Sequence, residues 1–380
     1  MKFDTKLLHG GISEDPTTGA VSMPIYRAST FHQKELGHPE WEYSRTGNPT
    51  RQALEDLMAD LEVGTAGFAF SSGSAAIHAV LSLFSAGDHI IVGNDIYGGT
   101  FRLINQVMKR FGLEFSTVDT TDLEAVQAAF QDNTKALYLE TPTNPLLRVS
   151  DLAALSKIAK QHGAYTIVDN TFATPYNQQP LTLGADIVVA SGTKYLGGHS
   201  DLIAGIAVTN DDQLAERIGF LQNSIGSVLA PEEAWLLQRG IKTLGARMRI
   251  HEENTQAIFQ FLSQDDHISK LYYPGDPNNP GYATAKRQMR GFGAMLSFEL
   301  KPEYEPKQFI DHLNLITLAE SLGGVDSLIE VPTIMTHGAI PREERIKDGI
   351  QDNLIRLSVG IEDQADLIED LQTALHSLDH

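Results

Sequence analysis

Strand-length apolar runs recur along the first half of this chain, with stretches of helical spacing between them. Runs at 67–70, 89–92, 113–118, 136–139, 165–168, 187–190 and 203–208 read as strands. Stretches 101–110, 123–130 and 152–162 carry apolar residues at helical spacing. A helix is also predicted from Ala75 to about residue 84, after the small-residue turn Ser71-Ser72-Gly73-Ser74. Strands that alternate with helices predict a mostly parallel sheet covered on both faces. The runs at 187–190 and 203–208 are too close for a helical crossover, so an antiparallel member is expected there.

The texture changes after about residue 230. Pro231-Glu232-Glu233 marks a helix start, and helical character continues towards Leu262 with Gly240 and Gly245 inside it. A smaller α+β region follows. Its predicted elements are a strand at 294–300, a helix at 307–313, a strand at 354–359 and a terminal helix at 363–378. At the other end, residues 1–44 lack periodicity and contain Gly10, Gly11, Pro16, Gly19 and Pro24. Such an arm buries little of itself, so it is expected to pack on something else, such as a second subunit. Gly47-Asn48-Pro49 is turn chemistry, and Leu54, Leu57, Met58 and Leu61 then give helical spacing. The division predicted is an arm over 1–44, an α/β domain over 45–235 and a C-terminal α+β domain over 236–380.

Composition narrows the possibilities. The 380 residues are long enough for two domains and a large core. A formal charge of -20 argues against nucleic acid or an acidic membrane as partner. An anionic ligand must then be held by local donors. With no cysteine there is no disulfide, thiolate nucleophile or zinc–thiolate site. The 13 histidines show no metal-ligand spacing, so no metal is expected. No signal-type segment and no membrane-spanning run is seen, so a cytoplasmic protein is expected.

The candidate chemistry gathers where predicted strands end. Glu140-Thr141-Pro142-Thr143-Asn144-Pro145 follows one strand, Asp169-Asn170-Thr171-Phe172 the next, and Ser191-Gly192-Thr193-Lys194 the third. One edge of the sheet therefore receives an asparagine, a carboxylate and an amine, where open α/β sheets present their chemistry. Pyridoxal phosphate (PLP) needs such a set. Its aldehyde needs a lysine, and its ring nitrogen needs a carboxylate that keeps it protonated. Its phosphate needs backbone N–H and hydroxyl donors, offered by Gly73, Ser74, Ser191 and Thr193. The turn at 71–74 is neither GxxxxGK[ST] nor GxGxxG, which weighs against a nicotinamide oxidoreductase.

Longer motifs resemble a known family over nearly the whole chain. They are Tyr43-Ser44-Arg45-Thr46-Gly47-Asn48-Pro49-Thr50-Arg51, Tyr97-Gly98-Gly99-Thr100, Glu140-Thr141-Pro142-Thr143-Asn144-Pro145, Val168-Asp169-Asn170-Thr171 and Thr193-Lys194-Tyr195-Leu196-Gly197-Gly198-His199-Ser200-Asp201. Arg239-Gly240-Ile241-Lys242-Thr243-Leu244 and Arg356-Leu357-Ser358-Val359-Gly360 extend them towards the C-terminus. Together they resemble the Cys/Met-metabolism PLP enzymes, the cystathionine lyases and γ-synthases among them. The resemblance implies fold type I of the PLP-dependent transferases, like aspartate aminotransferase. It implies that Lys194 forms the Schiff base and moves protons, that Asp169 pairs with the ring nitrogen, and that Tyr97 stacks on the ring and acts in leaving-group proton transfer. Thr171 would pack on the other face, and Gly73, Ser74, Ser191 and Thr193 would hold the phosphate. Tyr43 and Arg45 would reach that phosphate from a neighbouring subunit, which makes the site a property of a homodimer, itself half of a homotetramer. Arg356 would clamp the substrate carboxylate, with Asn144 and Ser321 assisting.

Within the family, Glu320 resembles the γ-lyases and γ-synthases. Glu42 and Arg102 match positions facing the far end of cystathionine. Gly99 stands where methionine γ-lyases carry cysteine, which counts against methionine as the main substrate. One departure is Gly192, where relatives more often have alanine. The expected reaction is γ-elimination of L-cystathionine to L-cysteine, 2-oxobutanoate and ammonia. The alternatives are cystathionine γ-synthase or β-lyase chemistry, and, from another class, a catalytically silent PLP-fold binding protein.

Overall fold

The structure is a computed structural model, and it describes residues 1–11, 14–15, 17–338 and 340–379. Pro16 of the N-terminal stretch lies outside the described residues. A seven-stranded sheet is built from β1 (Ala66–Phe70), β2 (His89–Gly93), β3 (Glu114–Val118), β4 (Thr134–Glu140), β5 (Tyr165–Asp169), β6 (Ile187–Ser191) and β7 (Gly205–Thr209). Their order is β1-β7-β6-β5-β4-β2-β3, and β7 runs antiparallel to both neighbours while the other pairs are parallel. The antiparallel member expected from the short 190–203 connection is therefore β7.

Strand alternation sends side chains to opposite faces of this sheet. Tyr138 and Val189 join the core beneath the helix Gly73–Leu81, with Ile77 and Val80. Leu137 and Leu139 join the opposite core, with Leu152, Leu155 and Ala159 of the helix Leu152–Gln161. Both faces are covered, so the strands read as continuous apolar runs.

A second sheet has the order β10-β11-β12-β9-β8, from β8 (Ile268–Tyr272), β9 (Met295–Leu300), β10 (Thr317–Leu318), β11 (Leu328–Glu330) and β12 (Leu354–Ser358). Helices Leu244–Leu262 and Gln364–His376 supply Ile258, Leu262, Leu371 and Leu375 to its core, against Phe298 and Phe309. The chain thus has a mostly parallel central sheet and a smaller C-terminal sheet.

Several expectations need correction. The arm is not wholly irregular, because Phe3–His9 is a helix on the chain's own body. Leu7 is buried there, Lys6 Nζ meets Asp60 at 2.6 Å, and Phe3 packs edge-on to Tyr176. The helical stretch from Pro231 to Leu262 is two helices, Pro231–Ile241 and Leu244–Leu262, broken at Lys242 and Thr243. Asp212–Ile225 is a helix that the sequence reading lacked, although Asp211 caps it through the N–H groups of Gln213 and Leu214. Strands β8, β10 and β11 were also absent from it. Two of them are very short, and β8 alternates poorly, with exposed Ser269 and Lys270.

Candidate active site

Three parallel strands end side by side, and their last residues open into one cleft of about 270 Å³. Glu140 ends β4, Asp169 ends β5 and Ser191 ends β6, with Glu140 opposite Asp169 in the register. Of the residues proposed from sequence, Gly73, Ser74, Tyr97, Asn144, Asp169 and Thr171 line this cleft. So do Ser191, Thr193, Lys194, Glu320, Ser321 and Arg356.

Several are held by their own partners. Asp169 is buried, and its Oδ1 accepts from the Thr171 N–H at 3.0 Å and the Thr171 hydroxyl at 2.6 Å. The Tyr138 hydroxyl donates to its Oδ2 at 3.3 Å. Burial raises the Asp169 pKa, and those hydrogen bonds oppose the rise. The Ser191 N–H donates to Thr171 Oγ1 at 2.8 Å, so one threonine ties two strand ends together. Lys194 Nζ donates to Ser321 Oγ at 2.7 Å. Burial, then the Arg356 charge, lower the amine to about 8. A lysine so placed gives up its proton far more readily than a surface lysine and so becomes a nucleophile.

At the phosphate end, the helix Gly73–Leu81 starts at the cleft. Ser72 caps it by accepting from the Ala75 N–H at 3.1 Å. The first N–H groups of a helix have no intrahelical acceptor, and they suit an anion. A Cβ on Gly73 would come within 3.0 Å of the Ser191 Cβ, so glycine keeps this cradle open. The Thr193 hydroxyl is engaged with the Ala204 backbone, accepting from its N–H at 3.0 Å.

At the other end Arg356 is buried and triply held. Its Nη1 donates to Asn144 Oδ1 at 2.9 Å and meets Glu330 Oε1 at 3.0 Å, while Nη2 donates to the Ser321 carbonyl at 2.9 Å. Ser321 thus touches both the amine and the guanidinium, and it does so at φ 96, a left-handed backbone.

Four proposed residues stand outside the cleft of this chain. Arg102 is exposed on the helix Gly98–Gln106. Glu42 and Tyr43 are exposed on the arm, and Arg45 Nη1 donates to the carbonyl and side chain of Asn223, each at 2.7 Å. Within one chain, then, the far-end set Glu42, Arg102 and Glu320 is not assembled; only Glu320 lies at the cleft.

Sequence reasoning gave no role to three other residues at the site. Glu140 is buried, accepts from the Tyr97 N–H at 3.0 Å, and has its pKa raised well above the ordinary range by burial and then by Asp169. Tyr138 supports Asp169 from below. Glu330 pairs with Arg356 directly across the β11–β12 ladder. One signal was available for that pair. Leu328-Ile329-Glu330-Val331 and Leu354-Ile355-Arg356-Leu357 each hold one charge inside an apolar run, and buried charges seek partners. Among the described residues no cluster of His, Asp and Glu could hold a metal ion.

A half-buried amine, a buried carboxylate and an anion cradle at the carboxyl edge of this sheet suit PLP at each of its three functional ends. The fold and the site together define a PLP-dependent enzyme. The family model described as "Cys/Met metabolism PLP-dependent enzyme" matches residues 4–376, and the chain belongs to that family. A cystathionine beta-lyase of Lactococcus lactis subsp. cremoris is 60% identical over 372 residues, 98% of each chain. A cystathionine gamma-lyase of Bacillus subtilis is 55% identical over 379 residues, 100% of each. The crystal structure of a cystathionine gamma-lyase from Lactobacillus plantarum, complexed with L-serine, superposes with a TM-score of 0.99 at 61% identity over 100% of both chains. Membership of that family gives PLP as the cofactor and places the chain in the metabolism of sulfur amino acids. Among the described residues no helix is long and apolar enough to cross a membrane.

Proposed function

We propose that this chain is a carbon–sulfur lyase that takes L-cystathionine by γ-elimination, giving L-cysteine, 2-oxobutanoate and ammonia. When bound, PLP supplies an electron sink for the charge that develops at the substrate Cα. Lys194 is the base: it takes the Cα proton and then carries a proton from Cβ, the second transfer that a γ-elimination needs. Its amine, lowered to about 8, is suited to both tasks. Asp169 holds the ring nitrogen protonated, and Thr171 fixes the carboxylate that does so. Arg356, oriented by Glu330 and Asn144, binds the substrate α-carboxylate. Tyr97 hands a proton to the departing sulfur. Arg356 and Lys194 meet at Ser321, so the carboxylate is anchored where Cα faces the amine.

The observation that carries the γ reading is Glu320, adjacent to Ser321 and lining the same cleft. A carboxylate there meets the distal ammonium of cystathionine and draws the substrate far enough in for Cβ to reach Lys194. The second reading, β-elimination to homocysteine, pyruvate and ammonia, is favoured by the name of the Lactococcus relatives. Product analysis with L-cystathionine decides. Cysteine with 2-oxobutanoate in excess supports the γ reading, and homocysteine with pyruvate in excess overturns it. Turnover of an activated homoserine ester with cysteine, faster than either cleavage, would instead make the chain a synthase.

A further inference from the structure

Arg247 carries a buried charge that the reaction as described does not use. It lies on the helix Leu244–Leu262 and is 4% exposed. Among the described residues it takes part in no ion pair, and burial alone lowers its pKa to about 10, so it remains a cation at neutral pH. Burying a guanidinium without a counter-ion is costly. Apolar packing would fill the space at lower cost, so the residue needs another explanation.

Its hydrogen bonds supply one. Nη1 donates to the Tyr195 carbonyl at 2.8 Å. Nη2 donates to the Gly240 carbonyl at 2.9 Å and to the Leu196 carbonyl at 3.4 Å. Nε donates to Thr243 Oγ1 at 3.0 Å. Tyr195 and Leu196 are the two residues that follow Lys194. Gly240 lies in the last turn before the break between the two helices, and Thr243 lies in the break itself.

The socket is shaped for this group. Gly198 sits at φ +73, and a Cβ there would overlap the Arg247 guanidinium. A Cβ on Gly240 would overlap the Gly197 carbonyl, so the helix Pro231–Ile241 and the lysine turn touch backbone to backbone. Within the turn itself, the Gly197 N–H reaches the Gly192 carbonyl at 2.9 Å and the Gly198 N–H reaches the Lys194 carbonyl at 2.8 Å. Those bonds close the turn; the Val325 N–H donates to the Gly198 carbonyl at 3.0 Å, and Arg247 adds the tie to the helix Pro231–Ile241.

We propose that Arg247 is a positioning residue for Lys194: its fork ties the carbonyls after the lysine to the end of the helix Pro231–Ile241, and so fixes the point from which the amine reaches into the cleft. A planar guanidinium spans donors to two segments at once, whereas an ammonium concentrates its donors at one point. A reacting amine misplaced by about 1 Å loses rate by orders of magnitude. The inference rests on the reading of Lys194 as the amine that bonds the cofactor.

The test compares PLP-loaded wild type, Arg247→Lys, Arg247→Met and Ile258→Val. Ile258 is buried on the same helix and packs in the C-terminal core, away from the lysine turn, so it reports stability loss alone. For each protein, thermal midpoint, kcat and KM for L-cystathionine, and the pH titration of the visible cofactor band are measured. The Arg247 variants are expected to lose at least ~10-fold in kcat while KM stays within about 2-fold. Their band is expected to titrate at a midpoint moved by about 0.5 pH unit or more. Ile258→Val should move neither readout, and Arg247→Lys should fall between wild type and Arg247→Met.

If Arg247→Met does not fold, Arg247→Lys decides by the same readouts. A folded Arg247→Lys or Arg247→Met protein with wild-type kcat and titration overturns the inference. So does an Ile258→Val protein that shifts both by as much. A wild type without a visible lysine-bound band would instead overturn the reading of Lys194 itself, which separates the two failures.

Discussion

Lys194 is a half-buried amine beside a buried arginine, and that setting has a measurable consequence. A lysine must shed its proton before it attacks an aldehyde. With its amine lowered to about 8, cofactor uptake by the PLP-free protein should rise through pH ~8 and level off above it. Uptake that keeps rising towards pH ~10 would mean that the amine behaves as an ordinary surface lysine. Gly99 offers a second test at this scale. A Cβ at that position would come within 2.8 Å of the Tyr97 ring carbon Cζ, so any side chain there pushes the ring aside. If Tyr97 stacks on the cofactor as the family resemblance implies, Gly99→Ala should lower kcat by roughly 10-fold or more; a wild-type kcat would show that the ring position does not matter. Gly192 needs similar care, because a Cβ there would stand 2.8 Å from Leu237 Cδ2 and 3.0 Å from the Ala204 Cβ. The lysine and aspartate were readable in the sequence because each sits in a motif at or just after a strand end, and Arg356 because it opens the motif Arg356-Leu357-Ser358-Val359-Gly360 inside β12. Glu140 was not, because its role comes from neighbours on other elements, and Glu330 left only the weaker signal of one charge inside an apolar run.

At the scale of elements, the β11–β12 ladder sets Glu330 opposite Arg356 in a pair that is 1% and 2% exposed. Removing one partner leaves a buried charge uncompensated. Glu330→Ala should therefore cost about 3 kcal/mol in urea unfolding of the PLP-free protein, and Glu330→Gln clearly less. Equal losses for the two would show that charge is not what matters there. Glu62 ends the helix Pro49–Glu62 fully buried, with Asn170 donating to it at 3.1 Å. Burial raises its pKa to about 8. Between the ordinary value of 4.5 and about 8, the folded state holds a proton that the unfolded chain releases. Stability from this group is present below the unfolded pKa and is lost as pH rises through the folded one. Glu62→Gln should flatten that slope and stabilise the protein by ~2 kcal/mol above pH ~8, with little effect at pH ~4. An unchanged slope would place the titration elsewhere. The α/β half was legible because alternating strands and helices announce themselves. The C-terminal sheet was only partly so, since β10 and β11 are too short to show a period and Glu330 interrupts an apolar run.

At the scale of the molecule, the arm is one place among the described residues where apolar side chains stand uncovered. On the arm Val21 is 87% exposed and Leu36 is 95% exposed, while Tyr43 and Arg45 stand outside this chain's cleft. A single chain covers its sheets well and its arm poorly, which supports the proposal that the arm completes a second subunit's site. Mixing Tyr43→Phe and Lys194→Ala subunits should then recover activity in hybrids that neither parent shows; no recovery would count against shared sites. The sequence hinted at such a partner only through the arm's missing periodicity, because contacts between chains leave no pattern of their own within one chain. The central claim remains chemical: Lys194 bonds the cofactor. Reducing the PLP-loaded enzyme with borohydride and mapping its peptides by mass should place the pyridoxyl label on Lys194, whereas a label on another lysine, or none on an active enzyme, would contradict the account.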